Sequence, residues 1–320
     1  MKVDNLSFRK LAKLNKWGKS EKNVNLKKLT TFKIGGCGKY FLQVNTIENL
    51  LDVVGYLEKN NFEYYIIGAG SNILASSKGY DGVLIKLCGD FSQIETFEDT
   101  LECGSGVSLG EVISKCRELG LSGMEGAIGI PATIGGAVTM NAGAYDFEMA
   151  KIVESVIFLE NGKIRFLFKD ECLFSYRSSI FQNMKCVILK VRLKLNKSNK
   201  ETVCEKIKDY AQIRRESQPL NMPSAGSIFK RREDIIVSKC LDECGVKGLS
   251  VGDAVVSTKH ANFIVNNGDA TSEDVIKLIN KVKKKFKESY NKELSCEIKL
   301  LGEFDETIGW FSYSYYIYTW

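Results

Sequence analysis

The glycine-rich segment Gly68-Ala69-Gly70-Ser71-Asn72 follows the apolar run Tyr64-Tyr65-Ile66-Ile67, which reads as a strand. Its glycines stand where the chain must turn sharply and present backbone N–H groups, which are ready phosphate ligands. A second segment, from Gly126 to Tyr145, is almost free of large side chains, so its main chain can lie directly against a bulky ligand. Together the two predict a cofactor carrying a diphosphate. A Rossmann turn is not the expected holder, because Ile73 occupies the place of the third glycine in that fingerprint. If both loops act through close backbone approach, a β-branched residue at Gly70 or Gly136 is expected to expel the cofactor before it unfolds the protein.

Other patterns point to chemistry and fail. Gly106-Val107-Ser108-Leu109-Gly110 matches a hydrolase nucleophile elbow between a strand and a helix pattern. Ser108 also opens the capping box Ser108-x-x-Glu111, which accounts for the serine without catalysis. A triad would need His260, the only histidine in the chain, and His260 precedes an apolar strand where a structural role suffices. One histidine and ten cysteines without a C-x-x-C pair give no metal-site spacing and no disulfide framework, so no metal is expected. The formal charge of +6 suits anionic small molecules, and no dense basic block argues for nucleic acid. The N-terminus has no apolar signal core, and no window approaches a membrane span, so a cytoplasmic protein is expected.

The elements that must position these loops alternate in type. Helical spacing covers Thr46–Lys59, 110–119, 201–216, 234–244 and 274–289, the last opened by the capping box Thr271-x-x-Asp274. Strand patterns cover 82–87, 92–97, 101–104, 152–159, 163–168, 186–194, 262–265 and 295–301. The mix predicts an α+β protein, and the polar stretch Asn196-Lys197-Ser198-Asn199-Lys200 marks a division into two domains. Lys281–Lys287 is rich in lysine and closes the last helix, where cations complement the dipole.

Three further segments make the reading specific: Tyr176-Arg177-Ser178-Ser179, then Pro223-Ser224-Ala225-Gly226-Ser227-Ile228-Phe229-Lys230, then Glu297-Ile298. All three prolines of the chain, Pro131, Pro219 and Pro223, fall in or beside these segments and the second glycine loop. With Thr30-Thr31-Phe32-Lys33-Ile34-Gly35-Gly36 and Val256-Ser257-Thr258-Lys259-His260-Ala261-Asn262-Phe263, the sequence closely resembles the UDP-N-acetylenolpyruvoylglucosamine reductase family over residues 26 to 303.

The resemblance implies an FAD-binding domain of the vanillyl-alcohol-oxidase (PCMH) type over 26–197 and a C-terminal α+β substrate domain over 198–304. An N-terminal extension, 1–25, and an aromatic tail, 305–320, flank them. It implies FAD held by Gly68, Ala69, Gly70, Ser71 and Asn72 and by Gly129, Thr133, Gly135, Gly136, Asn141, Ala142 and Gly143, with NADPH as reductant and a UDP-sugar as substrate. Ser227 would protonate C2 of the enolpyruvyl group, while Arg177 and Glu297 would stabilise the enol-like species. The short span from Ser198 to Leu220 matches the family's shorter-loop subtype, and a monomer or weak oligomer is expected. The chain departs from the family at Ala132-Thr133, where Gly-Ser is more usual, and at Arg231-Arg232-Glu233-Asp234, which replaces a Pro-Gly turn and puts the nucleotide contacts there in doubt. The tail, with seven aromatics from Trp310 to Trp320, matches nothing in the family. The alternatives are another FAD oxidoreductase of the same fold, such as a hydroxyacid or lactone oxidase, and a nucleotide-binding module without turnover.

Overall fold

The computed structural model describes residues 17–305, so the tail beyond Asp305 and the start of the N-terminal extension lie outside the described residues. The first sheet is built from β1 (Lys19–Asn25), β2 (Cys37–Val44), β3 (Tyr64–Ile66) and β5 (Tyr80–Leu87), in the order β1-β2-β5-β3. β2, β5 and β3 run parallel, which requires a crossover. That crossover is α1 (Ile47–Lys59), whose stripe of Leu50, Val53, Val54 and Leu57 is buried, and whose N-terminus is capped by the Thr46 hydroxyl accepting from the Asn49 N–H.

A second, antiparallel sheet contains β6 (Ile94–Phe97), β7 (Thr100–Gly104), β8 (Val153–Glu160), β9 (Lys163–Phe168) and β10 (Cys186–Lys194), ordered β9-β8-β10-β7-β6. Leu159, Val187 and Leu189 of this sheet join the core of α1 and the first sheet, so the two sheets are packed as one body. Its other face is covered by α2 (Leu109–Leu119) and α3 (Ile134–Thr139). Ser108 caps α2: its N–H donates to Glu111 Oε2 at 2.8 Å and its hydroxyl accepts from the Glu111 N–H at 3.2 Å, so the elbow-like motif is a helix start. α3 lies inside the second glycine segment and was not anticipated, because Gly135 and Gly136 are poor helix formers. Thr133 caps it, and Ile134, Ala137 and Val138 anchor it in the core.

The third body is a sheet of β11 (Ser224–Ser227), β12 (Ser250–Val251), β13 (Ala254–Val256) and β14 (Phe263–Asn266), ordered β11-β14-β13-β12. It packs against α5 (Val237–Glu243) and α6 (Ser272–Tyr290), the latter opened by the expected Thr271–Asp274 capping box. α5 starts later than its pattern predicts, and Asp234, ahead of it, pairs with Arg232 and Lys292. α4 (Lys200–Ser217) begins at the expected division but packs on α2 and on the turn at Glu125–Ala127, on the side of the glycine loops.

The bodies interlock. Phe32 and Ile34 are fully buried in the core of the third body, the Thr31 hydroxyl donates to the Ser224 carbonyl at 2.7 Å, and β15 (Lys299–Leu301) pairs in parallel with β4 (Ile73–Ala75). The strand pattern over 295–301 is thus split in two. Residues 295–297 lie against Ile228–Lys230, with the Glu297 N–H donating to the Ile228 carbonyl and the Lys230 N–H to the Ser295 carbonyl, and only 299–301 reach β4.

Candidate active site

A cleft of about 940 Å³ opens between the glycine loops and the third body. One wall is the turn after β3. The N–H groups of Gly68, Ala69, Gly70 and Ser71 donate to no acceptor among the described residues, so four successive donors stand ready for an anion. The second glycine loop adds Gly129, Thr133, Gly135, Gly136, Ala142 and Gly143, with Thr133 directly against Gly68, and Arg177, Ser227 and Glu297 complete the lining. The structure therefore brings together every expected site residue except Asn141.

Asn141 is a correction. It is buried away from the cleft, its amide donating to the Ser175 carbonyl at 2.9 Å and its Oδ1 accepting from the Ala150 N–H at 2.9 Å. Both polar atoms of its side chain are used in holding the turn that carries Arg177, so the side chain does not line the cleft.

The glycines divide by what a side chain would meet. A Cβ on Gly70 would lie 2.0 Å from the Leu29 carbonyl oxygen, at a φ of +63°, so bulk there disrupts the protein itself and the expectation of a selective cofactor loss fails. At Gly136 the nearest atom would be Thr133 Oγ1 at 3.4 Å, and the residue is exposed to the cleft. Its smallness is unexplained by the protein and is a cradle for something bound.

Arg177 sits in a tight turn closed by reciprocal bonds between Ser175 and Ser178, with a φ of 52° that is uncommon for a non-glycine residue. Gln182 pins the turn by donating to the carbonyls of Arg177 and Thr139. The guanidinium donates from Nε to Glu297 Oε1 at 2.7 Å and from Nη2 to the Gly143 carbonyl at 2.8 Å, which ties the second glycine loop to the third body. Burial pushes the Glu297 carboxyl above its ordinary range, opposed by the cations Arg177, Lys230 and Lys299. Ser227, half-buried on β11, faces the cleft beside this pair, and no hydrogen bond from its hydroxyl is formed within the described residues.

Three polar groups in the cleft escaped sequence reasoning. Lys299 lies two residues beyond Glu297 and donates to Gln182 Oε1 at 3.0 Å, and burial pulls its ammonium below the usual lysine range. The spacing of two along an extended segment was the available signal. Ser105 Oγ and the Nε and Nη2 of Arg214 are buried at the cleft without partners. His260 is a turn residue, its Nδ1 accepting from the Asn262 N–H at 3.2 Å, its ring edge-on to Phe263 and its proton affinity lowered by burial. Open N–H donors, a cradle at Gly136 and buried orphan polar atoms together fit a large anionic group.

Two family models match the chain. One described as an FAD binding domain matches residues 38–166, and one described as the UDP-N-acetylenolpyruvoylglucosamine reductase C-terminal domain matches residues 218–301. A UDP-N-acetylenolpyruvoylglucosamine reductase of Caldicellulosiruptor saccharolyticus is 42% identical over 288 residues, covering 89% of this chain and 92% of the relative. One of Clostridium novyi is 39% identical over 285 residues, with the same coverage. The crystal structure of UDP-N-acetylenolpyruvylglucosamine reductase from Thermus caldophilus superposes with a TM-score of 0.76 at 34% identity, covering 87% of this chain and 97% of that one.

Proposed function

The chain belongs to the UDP-N-acetylenolpyruvoylglucosamine reductase family, and from that premise we propose which of its residues carry the reaction. It is an FAD-dependent UDP-N-acetylmuramate dehydrogenase, which reduces UDP-N-acetylenolpyruvoylglucosamine with NADPH in peptidoglycan precursor synthesis. FAD, when bound, would supply the two-electron chemistry that links NADPH to C3 of the enolpyruvyl group.

The chain's own residues do the rest. Gly68 to Ser71 offer their N–H groups to the cofactor's diphosphate, and Gly136 leaves room for its bulk. Arg177 places fixed positive charge where negative charge develops at C2 and the substrate carboxylate, in a partly dried site where such charge is most effective. Glu297 holds that guanidinium in register and faces the same developing charge. Ser227 gives its hydroxyl proton to C2; against a strongly basic carbon a positioned serine is a competent acid. The single observation that carries this assignment is the Arg177–Glu297 pair closing the cleft beside Ser227.

The division of labour proposed is cofactor on 26–197 and substrate on 198–304, with α4 as the connection that packs on the cofactor side. Among the described residues no helix is long and apolar enough to cross a membrane, and the reading places the enzyme in the cytoplasm as a monomer or weak oligomer. Anaerobic mixing tests the whole reading: NADPH should bleach the flavin, and the UDP-enolpyruvyl sugar should restore its colour. A flavin that NADPH reduces but only oxygen reoxidises would instead indicate an oxidase of the same fold.

A further inference from the structure

Arg214 is the best-buried cation of the cleft wall, with 6% of its surface exposed. It projects from the last turn of α4 and packs its Cδ so close to Gly129 that a Cβ there would lie 2.7 Å away. Only Nη1 has a hydrogen-bond partner, Gln218 Oε1 at 3.1 Å, while Nε and Nη2 are buried and unpaired. Tyr145 faces the guanidinium with its ring centroid 5.4 Å away. A protein rarely leaves two donors of a buried guanidinium unmade, because each forfeits its water without replacement. Burial also weakens the group's hold on its proton, which a negative partner in the cleft would restore.

Position says which part of the bound cofactor that partner belongs to. The diphosphate already has the four free N–H groups of Gly68 to Ser71. Arg214, on α4, stands against the other loop at Gly129, near the reacting end: Tyr145 is two residues from Gly143, whose carbonyl is held by Arg177, and Gln218 begins the segment that leads to Ser227. We propose that Arg214 directs its two free donor nitrogens, Nε and Nη2, at the pyrimidine edge of the flavin, N1 and the C2 carbonyl, and so sets the flavin's readiness to accept hydride. The assignment rests on the FAD reading above. The balance is simple: hydride leaves C4 of the nicotinamide and forms the N5–H bond, NADPH departs as NADP⁺, and the electron pair leaves a net negative charge spread over N1 and C2=O. A fixed guanidinium at that edge favours the reduced flavin, as preorganised donors favour any charge that develops at a known place.

The test is the midpoint potential of the bound flavin, measured by dye equilibration without substrate, in wild type, Arg214→Met and Arg214→Lys. Loss of charge-assisted hydrogen bonds should shift the reduced-to-oxidised ratio about 10- to 100-fold toward oxidised in Arg214→Met, which for this two-electron couple is about 30 to 60 mV. Arg214→Lys, which keeps charge but loses the planar fork, should fall between, and it carries the measurement should the methionine variant fail to retain FAD. Sulfite, which adds at N5 and also makes the ring anionic, should bind more weakly in step, while oxidised FAD stays bound nearly as tightly as in wild type. An unchanged potential with sharply weaker FAD binding would mean that Arg214 holds the diphosphate. Unchanged potential and unchanged FAD binding would make it a substrate or scaffold residue, and either result overturns the proposal. A wild-type protein that takes up no FAD would remove the flavin reading and this assignment with it.

Discussion

Arg177 keeps an uncommon backbone conformation because everything around it is tied: its turn by Ser175 and Ser178, its carbonyl by Gln182, its guanidinium by Glu297 and Gly143. Asn141 is a hidden member of that support. Replacing it by alanine leaves the Ala150 N–H without its partner and removes one of the two bonds to the Ser175 carbonyl, at a cost of about 1–3 kcal/mol, so Asn141→Ala should lower the midpoint of denaturant unfolding. Because that loss loosens the Arg177 turn, substrate turnover should fall with it, while FAD affinity changes little. Lys299 gives the site a pH dependence. Its folded pKa is depressed by burial, so its charge is lost at a lower pH than for a solvated lysine, and binding of the anionic substrate should weaken on the alkaline side below the ordinary lysine range. Lys299→Arg should abolish that limb in a profile of substrate KM against pH, since arginine stays charged.

At the scale of elements, the two glycine loops have different physics. Gly136→Val should leave stability intact or improved, because valine is the better residue in α3, yet bulk in the cradle should abolish FAD binding. Gly70→Val should instead destabilise the protein with or without FAD, since its Cβ has no room. Thermal unfolding with and without FAD separates the two. A Gly136→Val protein that retains FAD at wild-type affinity would show that the second loop does not lie against the cofactor. The long helices were legible in the sequence because Leu50, Val53, Val54 and Leu57, or the α6 stripe from Val275 to Phe286, repeat at helical spacing under a clear cap. α3 was not, because its signal is a glycine pair. The double life of 295–301 was not either: a single apolar pattern serves two partners, and pairing is a tertiary choice. Arg214 was invisible for a related reason, since an arginine on a polar helix reads as solvated and only the packing of α4 on the glycine loop buries it.

At the scale of the molecule, the site exists because the chain crosses between bodies more than once. Phe32 and Ile34 enter the third core from one direction, β15 returns to β4 from the other, and the Arg177–Glu297 pair spans the gap between them. The glycine loops and the motifs around Arg177, Ser227 and Glu297 could be read from the chain; their assembly into one cleft could not, because it depends on these long-range crossings. Every residue placed in the site precedes Asp305, so a protein truncated after Phe304 should bind FAD and turn over within a few-fold of the full chain; loss of FAD would show that the tail completes the cofactor body. The central claim, that Ser227 is the acid of the second half-reaction, is tested most directly by anaerobic stopped-flow absorbance of Ser227→Ala. The account predicts that NADPH bleaches the variant's flavin at the wild-type rate, while the UDP-enolpyruvyl sugar still binds and reoxidises it about 10²- to 10⁴-fold more slowly. Reoxidation at the wild-type rate would contradict the claim.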